Sequence, residues 1–408
     1  MKCGLLGQTL GHSYSPEIHA QLGEYAYSLF EKEPEEVENF LKNGDFTGIN
    51  VTIPYKKAVI PFLDELSPKA AALGAVNTIV RRPNGRLIGH NTDYFGFETM
   101  VNSGGFRVNG KKVLVLGSGG ASNTASAVLR AMGAETVVIS RTGADNYGNL
   151  SRHRDATLIV NTTPVGMFPN VGKSPISLDN FPHLEGVWDV IFNPARTQFL
   201  LDGEKRGLKT MNGLKMLAAQ AKESAEWFTG RRIPDGKIDE IYEKLSARMQ
   251  NIVLIGMPGC GKSTVGAAIA EKTGRIFADA DEEIVRLAGK SIPEIFAEDG
   301  EAVFRNWETQ ALARLGRQSA LVIATGGGCV TKAENYPLLH QNGIIFWLKR
   351  DISALPTEGR PLSKSAGLAE MYARREPLYR SFADKTIANR GKIQGAADEI
   401  LAAMEENL

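Results

Sequence analysis

The residues with the most explicit chemistry lie in NIVLIGMPGCGKST, residues 251–264. Gly256, Gly261, Lys262 and Ser263 keep the spacing G-x-x-x-x-G-K-[ST], that of a phosphate-binding loop. Glycines at these points, with Gly259 between them, let backbone N–H groups close around phosphate oxygens. The helix that starts there adds a partial positive charge. Lys262 can reach the β- and γ-phosphates, and the Ser263 hydroxyl can hold Mg²⁺. Cys260 and Thr264 complete the turn, and Cys260 reads as a small buried thiol rather than a redox centre. The pattern therefore implies ATP with Mg²⁺. Such a loop usually opens its domain, so the roughly 250 residues before it need a separate account.

A second glycine turn supplies one. Lys111–Gly117, KKVLVLG, is a near-continuous apolar strand of the kind buried on both faces of a parallel sheet. Gly117, Ser118, Gly119, Gly120, Ala121 and Ser122 follow, then a helical stretch. Strand, glycine turn and helix together form a dinucleotide fingerprint. The next strand, Glu135–Ser140, ends at Arg141 and Thr142. An NAD site calls for an acidic residue there, whereas Arg141 suits a 2′-phosphate by charge and fork geometry. NADP is thus expected, cradled by the turn and by Ser140, Arg141 and Thr142.

Other polar residues are weak signals singly. Ser13 and Ser15 flank Tyr14 and could grip one carboxylate, but Ser before Pro16 is more often a cap or turn. Asn50 and Thr52 face one side of a strand predicted over Gly48–Ile53, by the period of two. Lys56 follows the end of that strand, with a helix expected beyond Pro54; alone it reads as a solvated lysine. Asn77 and Asp93 lie at strand ends beside turn glycines, and Asp93 alone reads as a cap. Gln220, on an amphipathic helix over Asn212–Gly230, reads as surface.

Composition narrows the class. The chain has 408 residues, enough for two or three domains, with 43% hydrophobic and 23% charged residues. A net charge of +1 implies no strong field for nucleic acid or membrane. No apolar run approaches ~20 residues, so no spanning helix is expected. The first residues, MKCGLLGQTLGHSYS, are too glycine-rich for a signal peptide. Three cysteines without a C-x-x-C pair argue for a reducing cytoplasm, and six scattered histidines against a His-built metal site.

Taken together, HSYSP, NVTIPYK, GAVNT and NTDYFGF resemble, in order and spacing, the substrate domain of the shikimate dehydrogenase family. The resemblance covers residues 1–247. It implies that Ser13 and Ser15 bind the substrate carboxylate, that Asn50, Thr52, Asn77 and Asp93 hold ring hydroxyls, and that Lys56 and Asp93 form the catalytic pair. It also places Asn161 and Thr162, in the N-T-T-P-x-G-M stretch, beside the cofactor and makes Gln220 a substrate ligand. Two positions depart from the family pattern. Phe192 stands where a tyrosine is usual, and Asn123 where relatives often carry arginine.

Residues 251–408 resemble the shikimate kinase family. By that resemblance Asp281 accepts the proton of the attacking hydroxyl, and Asp279 joins Ser263 in organising Mg²⁺ through water. Arg305, Arg375 and Gly326, Gly327 and Gly328 would bind shikimate, the arginines pairing its carboxylate. Arg360 would steer the transferring phosphate from a lid a few residues short of the usual, and Arg390 would lie near the adenine. Without the family, Asp279 and Asp281 read as helix caps and Arg305, placed after an apolar helix, as a surface ion-pair former.

The expected architecture is α/β. Residues 1–100 and 213–247 make a dehydrogenase-like substrate domain, 101–212 a Rossmann NADP domain, 248–250 a connector, and 251–408 a P-loop kinase domain with a parallel sheet. The expected function is reduction of 3-dehydroshikimate to shikimate followed by its 3-phosphorylation, with only small-molecule partners. The competing reading is an NAD-dependent quinate/shikimate dehydrogenase carrying a nucleotide-sensing module. Arg141 weighs against NAD, and Asp281, Arg305 and Arg375 weigh against a mere sensor. Oligomeric state is not legible.

Overall fold

Short, largely buried strands are interspersed with helices, and glycine turns follow the strands Lys112–Leu116 and Asn251–Ile255. The computed structural model describes residues 1–11, 13–355 and 367–405. It divides into two compact units: Met1–Val165, Ser174–Phe192 and Asp202–Lys244 form one; Gly166–Lys173, Asn193–Leu201 and Leu245–Leu408 form the other.

The first unit holds two sheets. β1 (Lys2–Gly7), β2 (Ala26–Glu31), β3 (Gly48–Val51), β4 (Glu65–Leu66), β5 (Thr78–Arg81) and β6 (Leu87–His90) form a mixed sheet of order β2-β1-β3-β5-β6-β4. β1 pairs in parallel with β2 and β3, while β5 runs antiparallel to β3 and β6. The register sets Asn50 opposite Thr78, and Thr78 opposite His90. β7 (Lys112–Leu116), β8 (Glu135–Ile139), β9 (Leu158–Asn161), β10 (Gly186–Asp189) and β11 (Lys209–Met211) form a parallel sheet of order β11-β10-β9-β7-β8. β9 and β10 are buried throughout. Val113, Val115, Val128, Leu129, Val160 and Trp188 pack into its core, each burial favouring the fold by ~1.5–3 kcal/mol.

The helices Asp93–Ser103 and Leu214–Thr229 pack against each other. They approach closely at Gly96, where a β-carbon would come within 2.7 Å of the Met216 carbonyl and 3.0 Å of Gln220 Cβ. The missing side chain thus brings Gln220 against the helix that Asp93 begins.

The second unit is built on β12 (Asn251–Ile255), β13 (Ile276–Asp279), β14 (Leu321–Ala324), β15 (Gly343–Lys349) and β16 (Lys385–Ala388). All run parallel in the order β13-β14-β12-β15-β16. β12 is buried along its whole length, and β15 up to Leu348.

Several local expectations shift. β3 ends at Val51, and Pro54 is followed by turns and a short 3₁₀ helix, Ile60–Phe62, rather than a regular helix. Proline offers no N–H to extend a ladder, so Thr52 lies just past the strand, its backbone N–H still donating to the Leu6 carbonyl at 2.9 Å. Arg305 sits inside the helix Gly300–Gly316 rather than after one. Helix Gly236–Met249 runs through the first two residues of the expected connector, leaving Gln250 before β12. No helix among the described residues is long and apolar enough to cross a membrane.

Candidate active sites

In the first unit, Lys56 Nζ lies 2.6 Å from Asp93 Oδ2. The other carboxylate oxygen accepts from Asn77 Nδ2 at 2.9 Å, so Asp93, at the first turn of its helix, is held from both sides. The Asn77 amide oxygen accepts from the Thr92 backbone N–H at 2.7 Å, which fixes the turn before that helix. Asn50 is buried; its Nδ2 donates to Ser224 Oγ at 2.7 Å and to Thr78 Oγ1 at 3.2 Å, and its Oδ1 accepts from the Tyr27 hydroxyl at 2.8 Å. Ser13 Oγ accepts from the Ser15 N–H at 3.2 Å, so the two serines share one turn. Gln220 donates to the Leu217 carbonyl at 3.0 Å. The Tyr14 ring meets Phe192 edge-on, with 6.1 Å between centroids. Lys56, Asn77 and Asp93 are thus in direct contact, Asn50 joins them through hydroxyls, and Thr52 is half-buried beside Gly7.

The dinucleotide turn follows β7. Gly117 takes φ +115°, and the helix Gly120–Ala131 begins after Gly119. At Gly119 no atom stands within 4 Å of where a β-carbon would be, which leaves the helix N-terminus open to a pyrophosphate. Ser118 and Ala121 belong to the same turn, and Ser122 Oγ closes it on the Gly117 carbonyl at 2.7 Å. Arg141 and Thr142 are exposed past the end of β8, and Ser140 Oγ accepts from the Gly143 N–H at 2.9 Å. Thr162 Oγ1 donates to the Leu116 carbonyl at 2.6 Å. Asn161 is wholly buried and bonds both oxygens of Asp189 at 3.1 Å, tying β9 to β10. Open turn, helix terminus and exposed guanidinium fit a dinucleotide carrying an extra phosphate.

In the second unit, Gly256, Gly259 and Gly261 have φ of +146°, +79° and +100°. Lys262 Nζ donates to the Gly256 and Met257 carbonyls at 3.0 and 3.1 Å, folded over the loop it must serve. Ser263 Oγ donates to Asp279 Oδ2 at 2.7 Å, and Asp279 Oδ1 accepts from the Asp281 N–H at 2.9 Å. A hydroxyl beside a carboxylate is the hard oxygen pair that Mg²⁺ takes. Asn389 Nδ2 donates to the Cys260 carbonyl at 2.8 Å, joining the loop to a cavity of about 630 Å³ lined by Lys349, Asp351, Tyr372 and Arg390.

Beside the loop, Arg305 pairs with Glu308 at 2.8 Å and Glu301 at 3.0 Å. Gly328 lies against the guanidinium: a β-carbon there would come within 2.1 Å of Nη1. At Gly326 one would come within 2.7 Å of Glu308 Oε1 and 3.1 Å of Asp281 Oδ1. Arg375 Nη1 donates to the Gly327 carbonyl at 3.1 Å. Asp281, Arg305, Gly326, Gly327, Gly328 and Arg375 therefore converge. Arg360 lies outside the described residues. Burial raises the Glu308 pKa, opposed by Arg305 and reinforced by Asp281.

Four polar residues of these sites escaped the sequence: Tyr27, Ser224, Glu308 and Asn389. Only Glu308 left a trace, as an acid three positions after an arginine on one helix.

Comparison with known proteins finds two families along the chain. Residues 5–79 match the shikimate dehydrogenase substrate binding domain, and residues 258–405 match shikimate kinase. A shikimate dehydrogenase (NADP(+)) of Clostridium perfringens is 33% identical over 267 residues, 60% of this chain and 98% of that protein. The crystal structure of shikimate dehydrogenase 1 from Peptoclostridium difficile superposes with a TM-score of 0.56 at 39% identity, over 60% of this chain and 97% of that one. The Thermus thermophilus enzyme in complex with NADP(H) and shikimate gives 0.55 at 33% identity, over 60% and 99%. The chain belongs to the shikimate dehydrogenase family over its first 60% and continues into a shikimate kinase domain.

Proposed function

We propose that the chain catalyses two consecutive reactions: NADPH-dependent reduction of 3-dehydroshikimate to shikimate, then transfer of the ATP γ-phosphoryl group to the shikimate 3-hydroxyl. The observation that carries this reading is the pairing of each phosphate-binding turn with its own charged cluster, Lys56–Asp93–Asn77 in one unit and Asp281–Glu308–Arg305 in the other.

In the first reaction NADPH, when bound, supplies the hydride to the ketone carbon. Lys56 stabilises the developing alkoxide and gives it a proton, with Asp93 holding the ammonium in place. Ser13 and Ser15 grip the carboxylate, while Asn50, Thr52, Asn77 and Gln220 orient the ring. Gly117–Ala121, Ser140 and Thr142 cradle the cofactor, Arg141 takes its 2′-phosphate, and Asn161 and Thr162 shape the turn beside it.

In the second reaction Mg·ATP, when bound, supplies the phosphoryl group. Asp281 takes the proton of the 3-hydroxyl as its oxygen bonds phosphorus and ADP leaves. Ser263 and Asp279 hold Mg²⁺, and Gly256–Thr264 wrap the phosphates. Lys262 and Arg360 spread the charge, which is mostly positioning and electrostatics. Arg305, Arg375 and Gly326–Gly328 bind shikimate, the two arginines pairing its carboxylate, and Arg390 lies near the adenine.

A coupled assay with 3-dehydroshikimate, NADPH and Mg·ATP tests the whole. Shikimate 3-phosphate should form, and NADPH oxidation without phosphorylation would overturn the kinase assignment. Substituting NADH and quinate tests the NAD-dependent alternative. The buried free thiols Cys3, Cys260 and Cys329 accord with a reducing cytoplasm.

A further inference from the structure

The dehydrogenase site rests on a buried polar platform that its known chemistry does not use. Ser224 Oγ donates to the Gln220 carbonyl at 2.9 Å, so it acts as an acceptor toward Asn50 Nδ2 at 2.7 Å. Thr78 Oγ1 and Thr92 Oγ1 stand 2.8 and 2.9 Å from the same oxygen. These contacts fix which end of the Asn50 amide is which: its nitrogen faces Ser224 and its oxygen faces Tyr27. The Tyr27 hydroxyl gives its proton to that oxygen at 2.8 Å. The Tyr27 ring stacks on His19, with centroids 4.0 Å apart and planes 11° apart. His19 Nδ1 is itself bonded to the Tyr25 hydroxyl at 2.7 Å.

We propose that Tyr27 is a positioning residue for the dehydrogenase reaction. Its phenol oxygen holds the amide oxygen of Asn50, the residue assigned to the substrate ring. It therefore orients that amide before substrate arrives, and Ser224 locks its far end. This rests on the dehydrogenase reading above and adds a residue to it. Pre-orienting binding groups lowers the cost of ordering them on association and shows mainly in KM.

The chain tests this against itself, because both of its sites take shikimate. Tyr27→Phe keeps the ring on His19 and removes only the hydroxyl. The dehydrogenase KM for shikimate should rise about three- to tenfold, as for one lost neutral hydrogen bond, with kcat within about twofold. The kinase KM for shikimate should not move. Ser224→Ala, a smaller and independent change at the other end of the amide, should raise the same KM in the same direction and preserve the fold if Tyr27→Phe does not. An unchanged dehydrogenase KM in both variants overturns the proposal, as does a fall confined to kcat. Absence of dehydrogenase activity in the unmodified chain would instead overturn the reading beneath it.

Discussion

Lys56 Nζ and Asp93 Oδ2 stand 2.6 Å apart across 37 positions of sequence, and Asn77 holds the second oxygen of the same carboxylate. A lysine so placed delivers a proton to one fixed point. Lys56→Ala should cut ketone reduction by about 10²–10⁴, the usual worth of a positioned acid. Phosphorylation of added shikimate by the same preparation should stay within about twofold. Loss of both activities from a folded variant would refute separate sites.

Glu308 should matter to the kinase nearly as much as Arg305. Its side chain is wholly buried, with Oε2 on Arg305 and Oε1 facing Gly326. Glu308→Gln keeps the shape and removes the charge, leaving the guanidinium to the exposed Glu301. Breaking a buried pair costs about 3–5 kcal/mol in stability. The KM for shikimate should rise about tenfold or more while that for ATP stays near its original value, as initial-rate kinetics would show. A matching rise in both KM values would mean that Glu308 supports only the fold.

The difference between Arg305 and Glu308 shows what the sequence carries. The phosphate loop and the dinucleotide turn are legible because their geometry is local, a strand, glycines and a helix start within about 14 residues. Lys56, Asp93 and Arg305 became legible only as parts of ordered motif sets. Glu308 looks like a solvated i,i+3 partner until the fold turns that helix face toward Gly326–Gly328. Ser224 binds Asn50 across 174 positions, and no spacing rule reaches that far. The strand before Lys56 stops at Val51, two residues short of the Ile53 that the sequence pattern predicts, because Pro54 ends the ladder.

Arg141 should decide the cofactor. It is exposed past the end of β8, where a 2′-phosphate would lie. Arg141→Ala should raise the KM for NADPH about tenfold at low salt, since a bond to a charged group is worth roughly 1.5–3 kcal/mol before screening. The KM for NADH should move less than twofold. Equal effects on the two cofactors would place the 2′-phosphate elsewhere.

Glu223 should make the first unit lose stability as pH rises toward neutrality. Its carboxyl lies on the helix Leu214–Thr229, where burial pushes its pKa up to about 7. Lys69 and Lys222 oppose the rise, and Glu226 and Glu98 add to it. Oε2 is buried with no hydrogen-bond partner. A folded pKa above the unfolded one means that the native state prefers the protonated form. That contribution is complete below the unfolded value of ~4.3 and is lost as pH climbs through about 7. Glu223→Gln mimics the neutral acid at every pH. Hydrogen exchange across residues 214–229 in urea should show wild type and variant equally stable at pH 4 and the variant more stable at pH 7.5. Parallel pH profiles for the two proteins would mean that Glu223 titrates as an ordinary surface carboxylate.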